Sequence, residues 1–322
     1  LELVNNRLVP NAMEPRCSIA DYNPANDDYT LYTTSQNPHL TRLLISAFVL
    51  GIPENKLTVV SPDVGGGFGS KIYHYGEEAL VLAAAKRIKR PVRWTATRSE
   101  SFMTDAHGRD HVTKIELALD KDNNFLAFRT ETMANVGAYL SNFSTVTPTI
   151  LHGTLMAGNY AVPNVYVNVK TVFTNTAPVD AYRGAGRPEA TYSLERVIDK
   201  AATELGLDPT NLRRQNFIKS DQFPYVTAAG LNYDVGDYDA VMDRLEHHAD
   251  LKGFAKRRKK SEAKGKLRGL GINSYIEACG IAPSNLIGTL GARVGLYDAA
   301  TIRVNATGNI SVMVGAHSHG QG

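Results

Sequence analysis

Apolar residues recur along the chain at two spacings, every second position in some stretches and three to four apart in others. Tyr29–Thr34, Leu57–Ser61 and Pro91–Ala96 read as strands. Val112 to Leu119 alternates apolar and polar residues, Asp120–Asn124 supplies a turn, and Phe125–Tyr139 resumes as strand. Together these three predict a hairpin. A further β-type run covers Val165–Phe173. Helical spacing appears at Leu40, Leu43, Leu44, Ala47 and Phe48, behind Asn37 as N-cap and Pro38 in the first turn. Gly51 and Pro53 end that helix. Further helices are expected from about Tyr75 to Lys86, from Thr191 to Leu205, and briefly from Asp208-Pro209. Another runs from about Tyr238 through the basic stretch Lys256–Lys260 to Arg268. Strands are expected near 269–277, 292–296 and 300–304, and over Ile310–Val314.

Helices and strands mixed without a regular βαβ alternation predict an α+β fold. At 322 residues the chain has room for two domains, and the polar, charged stretch near 230–265 divides it into 1–235 and 236–322. A hydrophobic fraction of 43% and a charged fraction of 21% fit a globular protein with a core. The net charge of +3 gives no reason to expect nucleic acid or a membrane as partner. No apolar run approaches the roughly 18 residues of a membrane helix. Cys17 and Cys279 stand far apart with no Cys-x-x-Cys pair, which argues against a disulfide framework, an iron–sulfur site or a zinc knuckle within this chain. They read as two buried thiols in a reducing, cytoplasmic setting. The chain opens without an initiator Met and closes on the glycine-rich turn Ser318–Gly322, so it reads as a piece of a larger protein.

Two loops carry the candidate chemistry. Gly65-Gly-Gly-Phe-Gly69 can press backbone amides against a flat or anionic ligand, and it lacks the spacing of a Walker loop. Asp180-Ala-Tyr-Arg-Gly-Ala-Gly-Arg-Pro-Glu189 combines a glycine turn, two arginines and a helix start, the ingredients of an anion-cradling corner. Gln36, just before a capped helix, can both donate and accept a hydrogen bond. His317 and His319 fall on one side of an extended segment but lack further ligands for a metal. The basic run 256–268 has almost no interleaved aromatics and reads as a solvated helix end and linker.

In order, Ser35-Gln-Asn-Pro38, Gly65–Lys71, Ala181-Tyr-Arg-Gly-Ala-Gly-Arg187 and Gly320-Gln-Gly322 resemble the molybdenum-binding large subunit of the xanthine oxidase family. Within it the likeness is nearest to large chains described as carbon monoxide dehydrogenase that lack an active-site cysteine. The resemblance spans the chain and implies the molybdopterin-binding domains of that subunit, mixed sheets with helices, divided as first domain and start of the second. By position it implies cofactor contacts from Gln36, Gly67, Phe68, Gly69, Arg183, Gly184, Gln321 and Gly322, with no residue ligating the metal directly. It implies molybdenum–molybdopterin, in its cytosine dinucleotide form, and carbon hydroxylation with water-derived oxygen. Electrons would pass to iron–sulfur clusters and FAD on small and medium partner subunits. Gly184-Ala185-Gly186 holds no cysteine, which argues against CO oxidation. Ala185 and Ile72 stand where purine-oxidising members carry an aromatic residue and a carboxylate. An aldehyde or N-heteroaromatic substrate is therefore expected. The general-base glutamate of the family would lie outside this chain, which alone would be inactive. The alternative is a non-catalytic scaffold piece of such a complex.

Overall fold

A computed structural model describes residues 1–279, 284–289, 296 and 298–321. In chain order the strands are β1 (Glu2–Asn5), β2 (Cys17–Asn23), β3 (Asp28–Thr33), β4 (Leu57–Val60), β5 (Val92–Thr95), β6 (His111–Leu119), β7 (Phe125–Gly137), β8 (Asn164–Phe173), β9 (Tyr225–Val226), β10 (Asn232–Tyr233), β11 (Ala300–Val304) and β12 (Ile310–Val314). The α-helices are α1 (Pro38–Leu44), α2 (Gly76–Ile88), α3 (Arg98–Thr104), α4 (Arg187–Leu205), α5 (Pro209–Asn216), α6 (Tyr238–Ala249), α7 (Phe254–Glu262) and α8 (Ser284–Thr289). The chain forms two compact units, each drawn from two separated stretches: Leu1–Leu8 with His107–Ile276, and Val9–Ala106 with Glu277–Gly322.

The first unit is built on a sheet in the order β1-β6-β7-β8. β6 pairs antiparallel with β1 and with β7, and β8 joins β7 in parallel. The expected hairpin forms because Asp120 accepts from the amides of Asp122 and Asn124, while Asn123 takes a left-handed conformation. Alternation sorts its faces, burying Thr113 and Ile115 of β6 and Phe128, Thr130 and Thr132 of β7. α4 lies against β6 and buries Ala190, Leu194, Val197 and Ile198 at helical spacing. The fully buried Arg213 of α5 ties back to α4, reaching Glu195 and Asp199 at 2.8 Å each.

The second unit holds a sheet in the order β4-β3-β2-β5, parallel only between β3 and β4. α2 covers it, and Val81, Leu82 and Ala85 pack on Ala20, Tyr29, Leu31 and Leu57. Asn37 caps α1 by accepting from the Leu40 amide at 3.2 Å, and a wider π-type turn continues the helix over Ile45–Leu50. Gly51 stops it in the left-handed conformation, as the spacing predicts.

Three expectations need correction. The helix expected from Tyr238 to Arg268 is two helices, α6 and α7, broken at Asp250. Its left-handed turn is held by its own carboxylate, which accepts from the Gly253 amide, and 263–268 is not helical. Residues 269–277 form no strand, since no sheet edge pairs with them; Ser274 is instead anchored by polar bonds to Glu195 and Asn159. Neither thiol is buried, Cys17 being half-buried and Cys279 exposed. α3 and α8 have no counterpart among the expected elements, whereas β11 and β12 form where strands are expected and pair antiparallel. Of the strand expected near 292–296, all but Leu296 lies outside the described residues, as does Gly322. Among the described residues no helix is long and apolar enough to cross a membrane.

Candidate functional site

In the second unit the loop between β4 and α2 wraps around Gln36. The Gln36 side-chain oxygen accepts from the Gly69 amide at 2.9 Å and the Lys71 amide at 3.3 Å. Its own backbone amide donates to the Lys71 carbonyl at 2.8 Å. With the oxygen committed, the carboxamide nitrogen is left with two N–H donors and no partner among the described residues. A Cβ at Gly67 would stand 2.3 Å from the Gln36 carboxamide, so only glycine admits this fit. Phe68 sits at the tip with φ 53° and is 40% exposed, and tight turns from Ser70 to Gly67 and Ile72 to Gly69 close the loop behind it.

Buried and half-buried polar groups fix this loop. Glu14 accepts from the Gly65 amide at 2.8 Å and from the Lys71 ammonium at 2.9 Å. Burial lowers the pKa of Lys71, and Glu14 opposes that shift. The Tyr75 hydroxyl donates to the Ser70 carbonyl at 2.6 Å and accepts from the Ala106 amide, while the Arg16 guanidinium stacks 3.6 Å above its ring. Burial pushes the Tyr75 phenol well up, so it remains a donor. The C-terminal segment joins from the other side: the Gly66 amide donates to the His319 carbonyl at 3.0 Å, and Ser61 meets His317 at 3.2 Å. Gln321 is exposed and turns its side-chain oxygen back onto the His319 amide at 2.7 Å. Sequence reasoning therefore named Gln36, Gly67, Phe68, Gly69, Ile72 and Gln321 as parts of what is one region of this unit. It missed Glu14 and Tyr75, for which only their fitness to pair with Lys71 and a loop carbonyl could have served as a signal.

The first unit carries the second loop. Gly184 and Gly186 have φ of 98° and 88°, and Ala185 between them follows at 42°. Gly186 caps α4 without a side-chain bond, and a Cβ there would stand 2.3 Å from the Thr147 carbonyl oxygen. Arg183 is exposed, and Ala185 is half-buried. The helix start differs from the anion cradle that was expected. Glu189, 2% exposed, lies in the first turn, where the amides of Gly186 and Glu189 favour its carboxylate. Pro188 removes a further donor, and the Arg187 amide is taken by Gly184. The chain's own carboxylate thus occupies the positive end of α4. Desolvation nevertheless raises the Glu189 pKa, against the lowering effect of Arg109. Beneath the loop the rings of His111 and His152 meet edge to face at 5.5 Å. Burial lowers His111 to about 3, helped by His152 and Arg109, and lowers His152 to about 4.

The donor set fits an oxygen-rich group. Gln36 offers uncommitted N–H donors beside glycines that a Cβ would obstruct, and no group of three or more His, Cys, Asp or Glu among the described residues could hold a metal. Residues 1–217 match the model of the molybdopterin cofactor-binding domain, and 244–322 match a second model of that description. The chain belongs to the molybdopterin cofactor-binding family. It is 36% identical to the carbon monoxide dehydrogenase large chain of Hydrogenophaga pseudoflava, over 98% of this chain and 40% of that one. It is 31% identical to the nicotine 6-hydroxylase large subunit of Paenarthrobacter nicotinovorans, over 98% of this chain and 38% of that one. Quinoline 2-oxidoreductase from Pseudomonas putida 86 superposes with a TM-score of 0.94 at 32% identity, covering this whole chain and 41% of that one. The chain spans about 40% of the length of these curated relatives.

Proposed function

We propose that this chain is part of the large subunit of a molybdenum hydroxylase that inserts water-derived oxygen at a carbon centre. The observation that carries the reading is the Gln36 carboxamide, locked through its oxygen by two loop amides so that its nitrogen presents donors. The cofactor is proposed to be molybdenum–molybdopterin in its cytosine dinucleotide form. When bound it supplies the metal-centred hydroxylation and takes up the electron pair. In this chain Gln36 would donate to an oxygen of that group, while Gly67, Phe68 and Gly69 offer backbone without side-chain obstruction. Gln321 and Gly322 in the same unit, and Arg183 and Gly184 in the other, are assigned to the cofactor on the family resemblance alone. The match over 1–217 and 244–322 supports 1–235 as a first cofactor-binding domain and 236–322 as the start of a second.

The substrate is proposed to be an aldehyde or N-heteroaromatic compound, admitted past Ala185 and Ile72. Relatives named for nicotine and quinoline favour the heteroaromatic class, and the cysteine-free Gly184-Ala185-Gly186 turn weighs against CO. The proton-abstracting glutamate is assigned to a segment outside this chain. In support, the buried glutamates among the described residues are engaged: Glu78 with the Thr33 hydroxyl and His74, Glu189 through one oxygen with Arg109, and Glu195 with Arg213, Tyr160 and the Ser274 amide. Iron–sulfur and FAD-bearing partner subunits, with the remainder of the large subunit, complete the proposal, and the complex is placed in the cytoplasm. The test is metal and nucleotide content of the complex purified with its partners, then turnover of a panel of azaarenes, aldehydes and CO. Molybdenum with azaarene or aldehyde turnover is expected. A complex without molybdenum refutes the reading, activity on CO alone refutes the substrate class, and turnover by the isolated chain refutes the placing of the base.

A further inference from the structure

Arg109 plays no part in the functional reading so far, yet it is built into the second loop. Its guanidinium, in a residue only 7% exposed, donates to the Tyr182 carbonyl at 2.8 Å and to the Arg183 carbonyl at 2.8 Å. The same group meets the Glu189 carboxylate at 3.2 Å and stacks 4.6 Å from the centre of the Tyr182 ring. One side chain therefore grips the loop at both ends, at two carbonyls on entry and at the first turn of α4 on exit.

The backbone around it is made for this reach. Arg109 and Asp110 are consecutive non-glycine residues at φ 66° and 67°, a conformation that survives only where the surroundings impose it. Asp110 is held by the Arg7 guanidinium at 2.9 Å and the Asn135 amide at 2.8 Å. His107 pairs with the segment leading into the loop, its amide donating to Pro178 and its carbonyl accepting from Asp180. Gly108 lets Tyr182 lie flat, since a Cβ there would stand 2.3 Å from the Tyr182 Cβ. A cavity lined by Arg109, His111, Thr147 and Glu189 lies alongside. The second Glu189 carboxylate oxygen is buried without a hydrogen-bond partner. Its other oxygen accepts from Arg109 at 3.2 Å.

We propose that Arg109 is the positioning residue of the Tyr182–Gly186 loop, fixing two of its carbonyls so that its amides and the Arg183 side chain keep one orientation toward the bound cofactor. The inference rests on the reading of this loop as part of the cofactor cradle. A planar guanidinium serves two carbonyls and a carboxylate at fixed angles, whereas an ammonium cannot bridge all three. Arg109→Lys keeps the charge beside Glu189 and loses the fork; Arg109→Gln loses both.

The experiment compares the assembled complex with both variants and, as a control, Arg129→Gln on the exposed face of β7. Hydrogen exchange of residues 183–186 and the Mo(V) paramagnetic resonance signal are read on each. In both Arg109 variants the loop amides are expected to exchange roughly tenfold faster, with β6 and β7 unchanged. The Mo(V) signal is expected to shift at unchanged molybdenum content, which a merely structural loss would not produce. Loop exchange equal to wild type overturns the proposal, and so does faster exchange with an unaltered Mo(V) signal. Failure of the broader reading shows separately, as wild-type complex without molybdenum, and loop exchange alone then decides the clamp.

Discussion

Gly186→Ala tests whether the second loop is held by close backbone approach. The added Cβ would lie 2.3 Å from the Thr147 carbonyl oxygen, 2.8 Å from the His152 amide nitrogen and 3.0 Å from the Leu151 carbonyl carbon. All three are backbone atoms, so no rotamer change relieves the clash. The left-handed conformation costs an alanine about 1–2 kcal/mol, and overpacking adds about 1–3 kcal/mol. The stiffer unfolded chain returns roughly 0.4–1 kcal/mol. The net loss is about 2–4 kcal/mol. Gly206→Ala is the matched control, because Gly206 caps the other end of α4 at φ 67° with nothing within 4 Å of the added Cβ. It should lose only about 1 kcal/mol. Equilibrium urea unfolding followed by far-ultraviolet circular dichroism gives both values, provided the denaturant slope stays constant. If the two variants agree within about 0.5 kcal/mol, the turn through Thr147 and His152 yields freely and the argument is wrong.

Three other outcomes follow from the same structure. His152 and His111 both fold neutral, with pKa values lowered to about 4 and about 3, so the protein loses stability as pH falls from about 6.5; at pH 5 each contributes a loss of about 2 kcal/mol, and His152→Phe should remove about half of the fall in a urea-midpoint profile between pH 7 and 5, an unchanged profile refuting it. Gln36→Leu strips the acceptor from two loop amides and should cost about 1–2 kcal/mol with faster exchange at Gly69 and Lys71. Gln36→Glu keeps the acceptor but not the donors, so it should leave the fold intact while lowering the molybdenum content of the complex; equal loss of stability in both variants would contradict this. Arg213→Leu leaves Glu195 buried without its cation and should destabilise by about 3–5 kcal/mol, read from thermal or urea unfolding.

What the sequence disclosed was mostly local. Asn37-Pro38, Asp208-Pro209 and the Asp120–Asn124 turn carry their structural instructions within a few residues, and each forms as expected. The glycine loops were legible because Gly67 and Gly186 have no substitute where a side chain or backbone approaches so closely. The parallel pairings of β3 with β4 and β7 with β8 were not, since nothing local specifies a partner across a crossover. Asp250 hid a helix break behind a residue that usually reaches the left-handed conformation only when its own carboxylate pays for it. Arg109 was invisible for a related reason: its partners Tyr182 and Glu189 are distant in sequence, and only the fold brings them to it.

The hydrogen bond from Gly66 to His319 has a consequence for synthesis. Its two residues are separated by roughly 250 positions, so the Gly66 amide has no such acceptor until residue 319 leaves the ribosome. At ordinary translation speeds that interval is about 10–50 s. For that time Gln36 and the loop can already be folded against Glu14 and Tyr75 while their C-terminal wall does not yet exist. The order of translation therefore leaves the glycine loop to fold first against Glu14 and Tyr75, with the His319 carbonyl added last.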